Sequence, residues 1–294
     1  MGHPVSRLVT RGGRRDQPQR LVPARVHALV ARAVDARLRA ELVSRPTSSE
    51  RSRGPRGSKP RGTNRARKRR GSHRDGSVVV ELVGPAGSGK TTLARSIHRD
   101  DARVHVGLSL WGLPRRRLVR GAVSLVPTIV GSALRKRRLR WREITQMIRL
   151  EALRRVLRRM KSRHRIILLD EGPVFGISWL DLAFAKRGAE PPTRWRRRVL
   201  ERWARVLDSV ILVDAGDALL ASRIRTRSKT HRMRKRSDRT IRHFAEGFRS
   251  AFESVIDELR TAGRIVVSEI HTDGTLAQAA ARLRTALSRS RHGQ

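Results

Sequence analysis

The sequence from residue 76 onward predicts a three-layer α/β domain with a mostly parallel sheet of about five strands. Two observations lead to this fold class. Short apolar runs alternate along the chain with longer segments of helical periodicity, as in a parallel sheet with crossover helices. Several runs, such as residues 166–169, are continuously aliphatic, which is typical of strands covered by helices on both faces.

Each element follows from its local pattern. Apolar, β-branched runs predict the strands, which are placed at residues 77–83, 103–110, 165–170, 209–214 and 264–270. Apolar residues at helical spacing predict the helices, which are placed at residues 92–98, 118–134, 141–160, 192–207, 215–226, 238–261 and 274–290. The strands and helices alternate, so each strand is predicted to run parallel to its neighbours.

The composition limits the classes of function. The 294 residues carry a formal net charge of +43, mostly from arginine, which reflects a GC-rich genome, polyanion binding, or both. Aromatic residues make up only 3% and tyrosine is absent, so stacking surfaces for single-stranded nucleic acid are few. The absence of cysteine excludes disulfides and thiol catalysis, and it favours a reducing, cytoplasmic location.

The first 75 residues differ from the rest. Residues 44–75 are rich in Arg, Gly, Ser and Pro, which predicts a disordered basic extension, with one amphipathic helix at residues 21–43. The basic run at residues 65–70 is a candidate for weak polyanion contact. No continuous apolar segment of signal-peptide type is present, and the longest apolar stretch, residues 121–134, is too short to span a bilayer.

A glycine-rich loop between the first strand and first helix carries the clearest chemical signal. Residues 84–91 match the phosphate-binding P-loop, G-x-x-x-x-G-K-[ST], at every position. Backbone N–H groups of such a loop cradle phosphate oxygens at a helix N-terminus. ATP and Mg²⁺ are therefore the predicted cofactors, with Lys90 on the β- and γ-phosphates and Thr91 on the metal. The nucleotide-binding residues are Gly84, Pro85, Ala86, Gly87, Ser88, Gly89, Lys90, Thr91 and Thr92.

Two acidic residues end the third strand. Four aliphatic residues followed by Asp170 and Glu171 form a Walker B arrangement, which delivers a carboxylate to the edge of the sheet where ligands bind. Asp170 is therefore predicted to hold Mg²⁺ together with Thr91. Two roles remain open for Glu171, because it can deprotonate an attacking hydroxyl or activate an attacking water.

An arginine-rich segment at residues 223–239 follows the fourth strand and a helix. Arginines that close over a transferring phosphoryl group stabilise its charge and exclude water. Arg223 and Arg227 are the strongest candidates, because their spacing of four places them on one face of a helix. The alternative is an exposed helix in an arginine-rich protein.

With these residues, segment 77–290 resembles the nucleoside and nucleotide kinases of the P-loop NTPase fold, especially thymidylate kinase-like proteins. The resemblance lies in residues 78–92, 210–229 and 266–275. It implies that Arg223 and Arg227 contact ATP phosphates and that Thr272 or Asp273 lies near the adenine. The third strand departs from the pattern, because Asp170-Glu171-Gly172-Pro173 stands where those kinases have Asp-Arg and an aromatic residue.

This departure leaves the acceptor unidentified. Arg142 and Arg149 are candidates for an acceptor phosphate, by their position before the third strand. The residues that could serve either base stacking or core packing are Trp111, Trp141, Phe175 and Trp179.

The leading interpretation is a phosphotransferase that moves the γ-phosphoryl group of Mg-ATP to a nucleoside, nucleotide or sugar-like acceptor. The alternative is an ATPase coupled to a protein or nucleic-acid partner, in which Glu171 activates water. A third interpretation is a nucleic-acid-binding protein that uses ATP as a regulator. A GTPase is disfavoured, because Asp214-Ala215-Gly216-Asp217 stands where Asn-Lys-x-Asp would read guanine.

Overall fold

The computed structural model describes residues 77–292, apart from residues 102, 135–138, 161–164 and 229–230. The predicted disordered extension at residues 1–75, with its helix at 21–43 and basic run at 65–70, lies outside the described residues. Within the described part of the chain, no helix is long and apolar enough to cross a membrane.

Among the described residues, the sheet has five strands, all parallel to their neighbours, in the order β2-β3-β1-β4-β5. Their bounds are β1 Val78–Val83, β2 Val104–Leu108, β3 Ile166–Asp170, β4 Ser209–Asp214 and β5 Val266–His271. The predicted fold class is confirmed, and each strand lies within about two residues of its predicted position. The P-loop strand β1 is central and pairs with β3 on one side and β4 on the other.

Eight helices occur among the described residues. They are α1 Lys90–Asp100, α2 Arg115–Leu134, α3 Trp141–Met160, α4 Pro173–Ala185, α5 Thr193–Ala204, α6 Asp217–Thr226, α7 Asp238–Ala262 and α8 Leu276–His292. Seven of them were predicted, whereas α4 was not. Its sequence, PVFGISWLDLAFA, is apolar on nearly all sides and therefore lacks the amphipathic period of a surface helix. Pro173 at its first position, directly after Gly172, was the available start signal.

The helices cover the sheet on both faces. Helices α1 and α8 pack on one face, against side chains such as Val80 and Leu82 of β1. Helices α2 to α5 and α7 pack on the other, against Val79 and Val83. Alternate residues of β1 thus enter two different cores, as strand geometry requires.

An aromatic cluster joins α4 to α7. Phe244, Phe248 and Phe252 follow each other at intervals of four on α7 and contact one another. Phe175 of α4 stacks on Phe248 with ring centroids 6.0 Å apart. Phe175 was predicted to serve either base stacking or core packing, and in the structure it packs in the core. Trp141 and Trp179 also pack against the core on the side of the sheet covered by α2 to α5 and α7.

Candidate nucleotide site

The P-loop connects β1 to α1 at the carboxyl edge of the sheet. Gly87 and Gly89 have φ angles of 88° and 86°, a left-handed backbone that glycine adopts without steric cost. Gly89 is the residue directly before α1, so the loop ends at a helix N-terminus, where free N–H groups attract anions. The predicted phosphate cradle thus has the backbone geometry that it needs.

Lys90 lies folded over the loop. Its Nζ donates to the Gly84 carbonyl at 2.7 Å and to the Pro85 carbonyl at 3.0 Å. Burial lowers the pKa of the Lys90 ammonium, whereas the charges of Asp170 and Glu171 raise it and that of Arg227 lowers it. The predicted catalytic groups are therefore close enough to Lys90 to act on its charge.

Thr91 and Asp170 meet directly. The Thr91 hydroxyl donates to Asp170 Oδ2 at 2.7 Å, which is possible because β1 and β3 are adjacent and Leu82 is in register with Asp170. A hydroxyl and a carboxylate are hard oxygen ligands of the kind that Mg²⁺ takes when nucleotide phosphates supply further ligands. This pair fits the predicted metal.

Glu171 has an unusual backbone. Its φ angle is 64°, the only positive φ of a non-glycine among the described residues. The Glu171 carbonyl accepts the Leu110 N–H at 3.2 Å. Such conformations persist only where the surrounding structure holds them, and they cluster at functional sites.

Arg223 connects three parts of the site. Its guanidinium donates to the Thr272 hydroxyl at 2.8 Å, to the Thr272 carbonyl at 2.7 Å and to the Gly87 carbonyl at 3.4 Å. The Thr272 hydroxyl in turn donates to the Ser88 carbonyl at 2.9 Å. These bonds join α6 and the end of β5 to the P-loop. Asp273, the next residue, accepts the Gly216 N–H at 2.8 Å beside the start of α6.

Arg227 is the capping residue at which α6 ends, and not a residue inside a continuing helix. Helix α6 ends at Thr226, and the backbone of Arg227 is extended, with ψ of 141°. Its N–H still bonds the Arg223 carbonyl at 3.1 Å, so the chain leaves the helix at this point. Both arginines nevertheless lie near the P-loop: the charge of Arg227 lowers the pKa of Lys90, and Arg223 bonds the Gly87 carbonyl.

The arginine-rich segment after α6 shares an apolar cluster with the P-loop. Met233 is buried with Ile224 and Ile241, and Ala86 of the P-loop packs against the same cluster. A cavity of about 650 Å³ opens beside this segment and is lined by His231, Arg232, Arg234, Lys235 and Arg236. The segment therefore has an apolar anchor and a basic surface, and its closure over bound phosphates stays a prediction.

Glu81 and Gln146 are among the buried polar residues that the sequence patterns did not single out. Glu81 is fully buried in β1, and burial raises its pKa to about 7 despite hydrogen bonds from three backbone N–H groups. Gln146 of α3 is also buried. An acid inside the run VVVELV was a signal for Glu81, because a buried strand rarely carries a charge without a partner.

Residues 65–174 match the family model of the NB-ARC domain, a family of P-loop NTPases. The matched segment contains the P-loop together with Asp170 and Glu171, whose geometry is described above. The αβα fold and this match together support a P-loop NTPase. The match covers less than half of the chain, and among curated proteins none matches the sequence significantly.

Solved structures of deoxyadenosine kinase from M. mycoides are similar to this chain at low identity. The structure with products dCMP and a flexible dCDP bound is 12% identical, with 72% of this chain and 100% of that chain covered and a TM-score of 0.46. The structure with bound dATP is 13% identical, with 71% and 98% covered and a TM-score of 0.43. At these TM-scores the likeness carries no conclusion about substrate, and the thymidylate kinase-like specificity stays a prediction.

Proposed function

We propose that this protein is a P-loop phosphotransferase, which moves the γ-phosphoryl group of Mg-ATP to a small-molecule acceptor such as a nucleoside, a nucleotide or a sugar-like alcohol. The observation that carries the proposal is a buried polar cluster beside the carboxyl edge of the sheet, where the P-loop lies. A backbone hydrogen bond joins the loop after β2 in this cluster to Glu171.

The cluster is formed by α3 and the loop that follows β2. Gln146 is 1% exposed, and neither atom of its amide has a hydrogen-bond partner among the described residues. Arg149, one turn along α3, is also buried and lies over the Trp111 ring at 4.2 Å. Leu110, the neighbour of Trp111, donates its N–H to the Glu171 carbonyl.

A buried amide that lacks a partner costs free energy, which hydrogen bonds to a polar ligand would recover. The Gln146 amide offers one acceptor and one donor group, and Arg149 and Trp111 add a cation and an aromatic ring. An acceptor with a polar ring system would supply hydrogen bonds to the Gln146 amide and lie beside Arg149 and Trp111. Hydrolysis of ATP alone needs no such cluster, and this difference favours a transferase.

The proposed reaction assigns a role to each residue. The P-loop N–H groups and Lys90 hold the β- and γ-phosphates, and Arg227 adds positive charge near Lys90. Mg²⁺, when bound by Thr91 and Asp170, supplies charge neutralisation on the phosphate oxygens. Glu171 accepts the proton of the acceptor hydroxyl while the oxygen of that hydroxyl bonds to the γ-phosphorus. The bond from that phosphorus to the bridging oxygen breaks, and ADP leaves.

The lid supports transfer over hydrolysis. The predicted lid, the arginine-rich segment after α6, packs on the same apolar cluster as Ala86 of the P-loop, and we expect its arginines to close over the bound phosphates. A closed lid excludes water, and the phosphoryl group then passes to the bound acceptor.

The second candidate is an ATPase that drives a protein or nucleic-acid partner. The match of residues 65–174 to the NB-ARC family favours it. In that case Glu171 activates water. Glu171 lies near enough to Lys90 to affect its pKa, and this position suits an attacking water as well as an attacking hydroxyl.

ADP release with Mg-ATP, measured with a panel of nucleosides, nucleotides and sugars, distinguishes the two candidates. The Lys90→Ala variant is the control for contaminating activity. Release that rises with one acceptor class supports the transferase. Release that is independent of every acceptor, and lost in Lys90→Ala, supports the ATPase and contradicts the proposal.

The acceptor cluster has its own test. Gln146→Leu keeps the volume and removes the amide, so it should raise the KM for the acceptor by roughly tenfold or more. Thr145→Val is the matched control, because the hydroxyl of this neighbouring buried residue bonds the Trp141 carbonyl of its own helix. An unchanged acceptor KM in Gln146→Leu would remove the cluster from the acceptor site.

A further inference from the structure

Glu81 is a carboxylate inside an otherwise apolar strand. It shares its face of β1 with Val79 and Val83, which pack against the helices on that side of the sheet. Its side chain is fully buried. A buried carboxylate is tolerated only where hydrogen bonds replace its lost water.

Three backbone N–H groups at the start of α4 supply those bonds. Glu81 Oε1 accepts from Gly172 at 2.9 Å and from Phe175 at 3.0 Å, and Oε2 accepts from Val174 at 2.8 Å. Pro173 has no N–H, and the Gly176 N–H already bonds the Gly172 carbonyl. Glu81 therefore satisfies every free donor in the first turn of α4.

The same bonds fix the segment that carries the acidic pair. Asp170 is held by its pairing in β3, and Gly172 is held by Glu81, so Glu171 lies between two anchored residues. Its left-handed φ of 64° needs such support from the surrounding structure. Gly172 fits closely, because an added Cβ would lie 2.8 Å from Glu81 Cδ.

We propose that Glu81 is a positioning residue of the phosphoryl-transfer site: it clamps the start of α4 and thereby keeps Glu171 in the geometry from which it takes a proton. This inference rests on the proposed role of Glu171 as the base. Glu81 lies behind the site in β1 and acts only through the backbone of residues 170–175. The clamp serves an attacking hydroxyl and an attacking water alike.

A double-mutant cycle tests the clamp. Glu81→Gln keeps the shape of the side chain but replaces one acceptor oxygen with an NH₂ group that faces a backbone N–H. It should lower kcat for ADP release by about 100-fold, the effect of a small misplacement of a catalytic group, and leave KM for ATP nearly unchanged. In the Glu171→Gln background, the same substitution should change kcat by less than about twofold, because the base is already absent.

The matched control is Asp208→Asn. Asp208 Oδ2 accepts the Val79 N–H at 2.7 Å, so it is another carboxylate bonded to the backbone, at the opposite end of β1. Its effect on kcat should be the same factor with and without Glu171→Gln. If Glu81→Gln also lowers kcat by the same factor in both backgrounds, its effect does not pass through Glu171 and the clamp is wrong.

Gly172→Ala is a second route to the same answer. It leaves Glu81 in place and crowds its carboxylate, so it should lower kcat as Glu81→Gln does. In the Glu171→Gln background it should change kcat little. This variant keeps the proposal testable if Glu81→Gln folds poorly.

Hydrogen exchange gives a readout that needs no turnover. In Glu81→Gln, the amides of Val174 and Phe175 should exchange about tenfold faster or more, while the P-loop amides keep their wild-type rates. Wild-type exchange at these amides would overturn the clamp. Release of ADP that no acceptor stimulates would instead overturn the phosphotransferase, and it would leave the cycle and the exchange result valid.

Discussion

The titration of Glu81 should make the stability of the domain depend on pH, and Glu81→Gln should remove this contribution to the pH dependence. Burial raises the pKa of Glu81 from 4.5 to about 7 in the folded protein. Between these two values the folded protein binds the proton more tightly than the unfolded chain does. Stability from this group is therefore fully present below pH 4.5 and is lost as the pH rises through 7.

The size of the effect follows from the two pKa values. A pKa difference of one corresponds to about 1.4 kcal/mol, so the rise from 4.5 to about 7 corresponds to about 3 kcal/mol. Urea denaturation at pH 5 and pH 8 measures it, as the difference in unfolding free energy between the wild type and Glu81→Gln. That difference should shift by about 2 to 3 kcal/mol in favour of the variant at pH 8. An equal difference at both pH values would refute the reasoning.

Three further changes test other parts of the account. Glu171→Gln should lower kcat by about 100-fold or more, as expected for loss of a general base, with little change in ATP affinity by calorimetry; a parallel loss of affinity would argue against this role. Phe248→Ala should lower the unfolding free energy by about 3 to 5 kcal/mol, because the ring is buried between Phe175 and Phe252; a loss below 1 kcal/mol would contradict the packing. Deletion of residues 1–75 should leave ADP release unchanged, and lost activity would move the predicted domain boundary.

The parts of the site that the sequence predicted are local in sequence. The P-loop residues adjoin each other, and the turn at Gly87 and Gly89 needs only their own φ angles. The contact between Thr91 and Asp170 spans 79 positions, but it follows from parallel strands whose carboxyl ends share one edge. A motif together with one fold rule was sufficient for both.

The residues that escaped prediction depend on contacts between distant segments. Helix α4 has no amphipathic period, because it is packed on several sides by α3, α7 and the sheet. Glu81 acquires its role only when the start of α4 meets β1, and Gln146 only when α3 meets Gly176. The end of α6 before Arg227 also depends on local geometry that spacing alone does not encode.

The central claim is tested most directly by transfer of labelled phosphate from [γ-³²P]ATP to the acceptor that best stimulates ADP release. The account predicts that label appears on the acceptor in step with ADP, that Lys90→Ala abolishes both, and that Gln146→Leu reduces transfer at low acceptor concentration. Label that appears only as inorganic phosphate, with every acceptor present, would contradict the phosphotransferase and leave the ATPase.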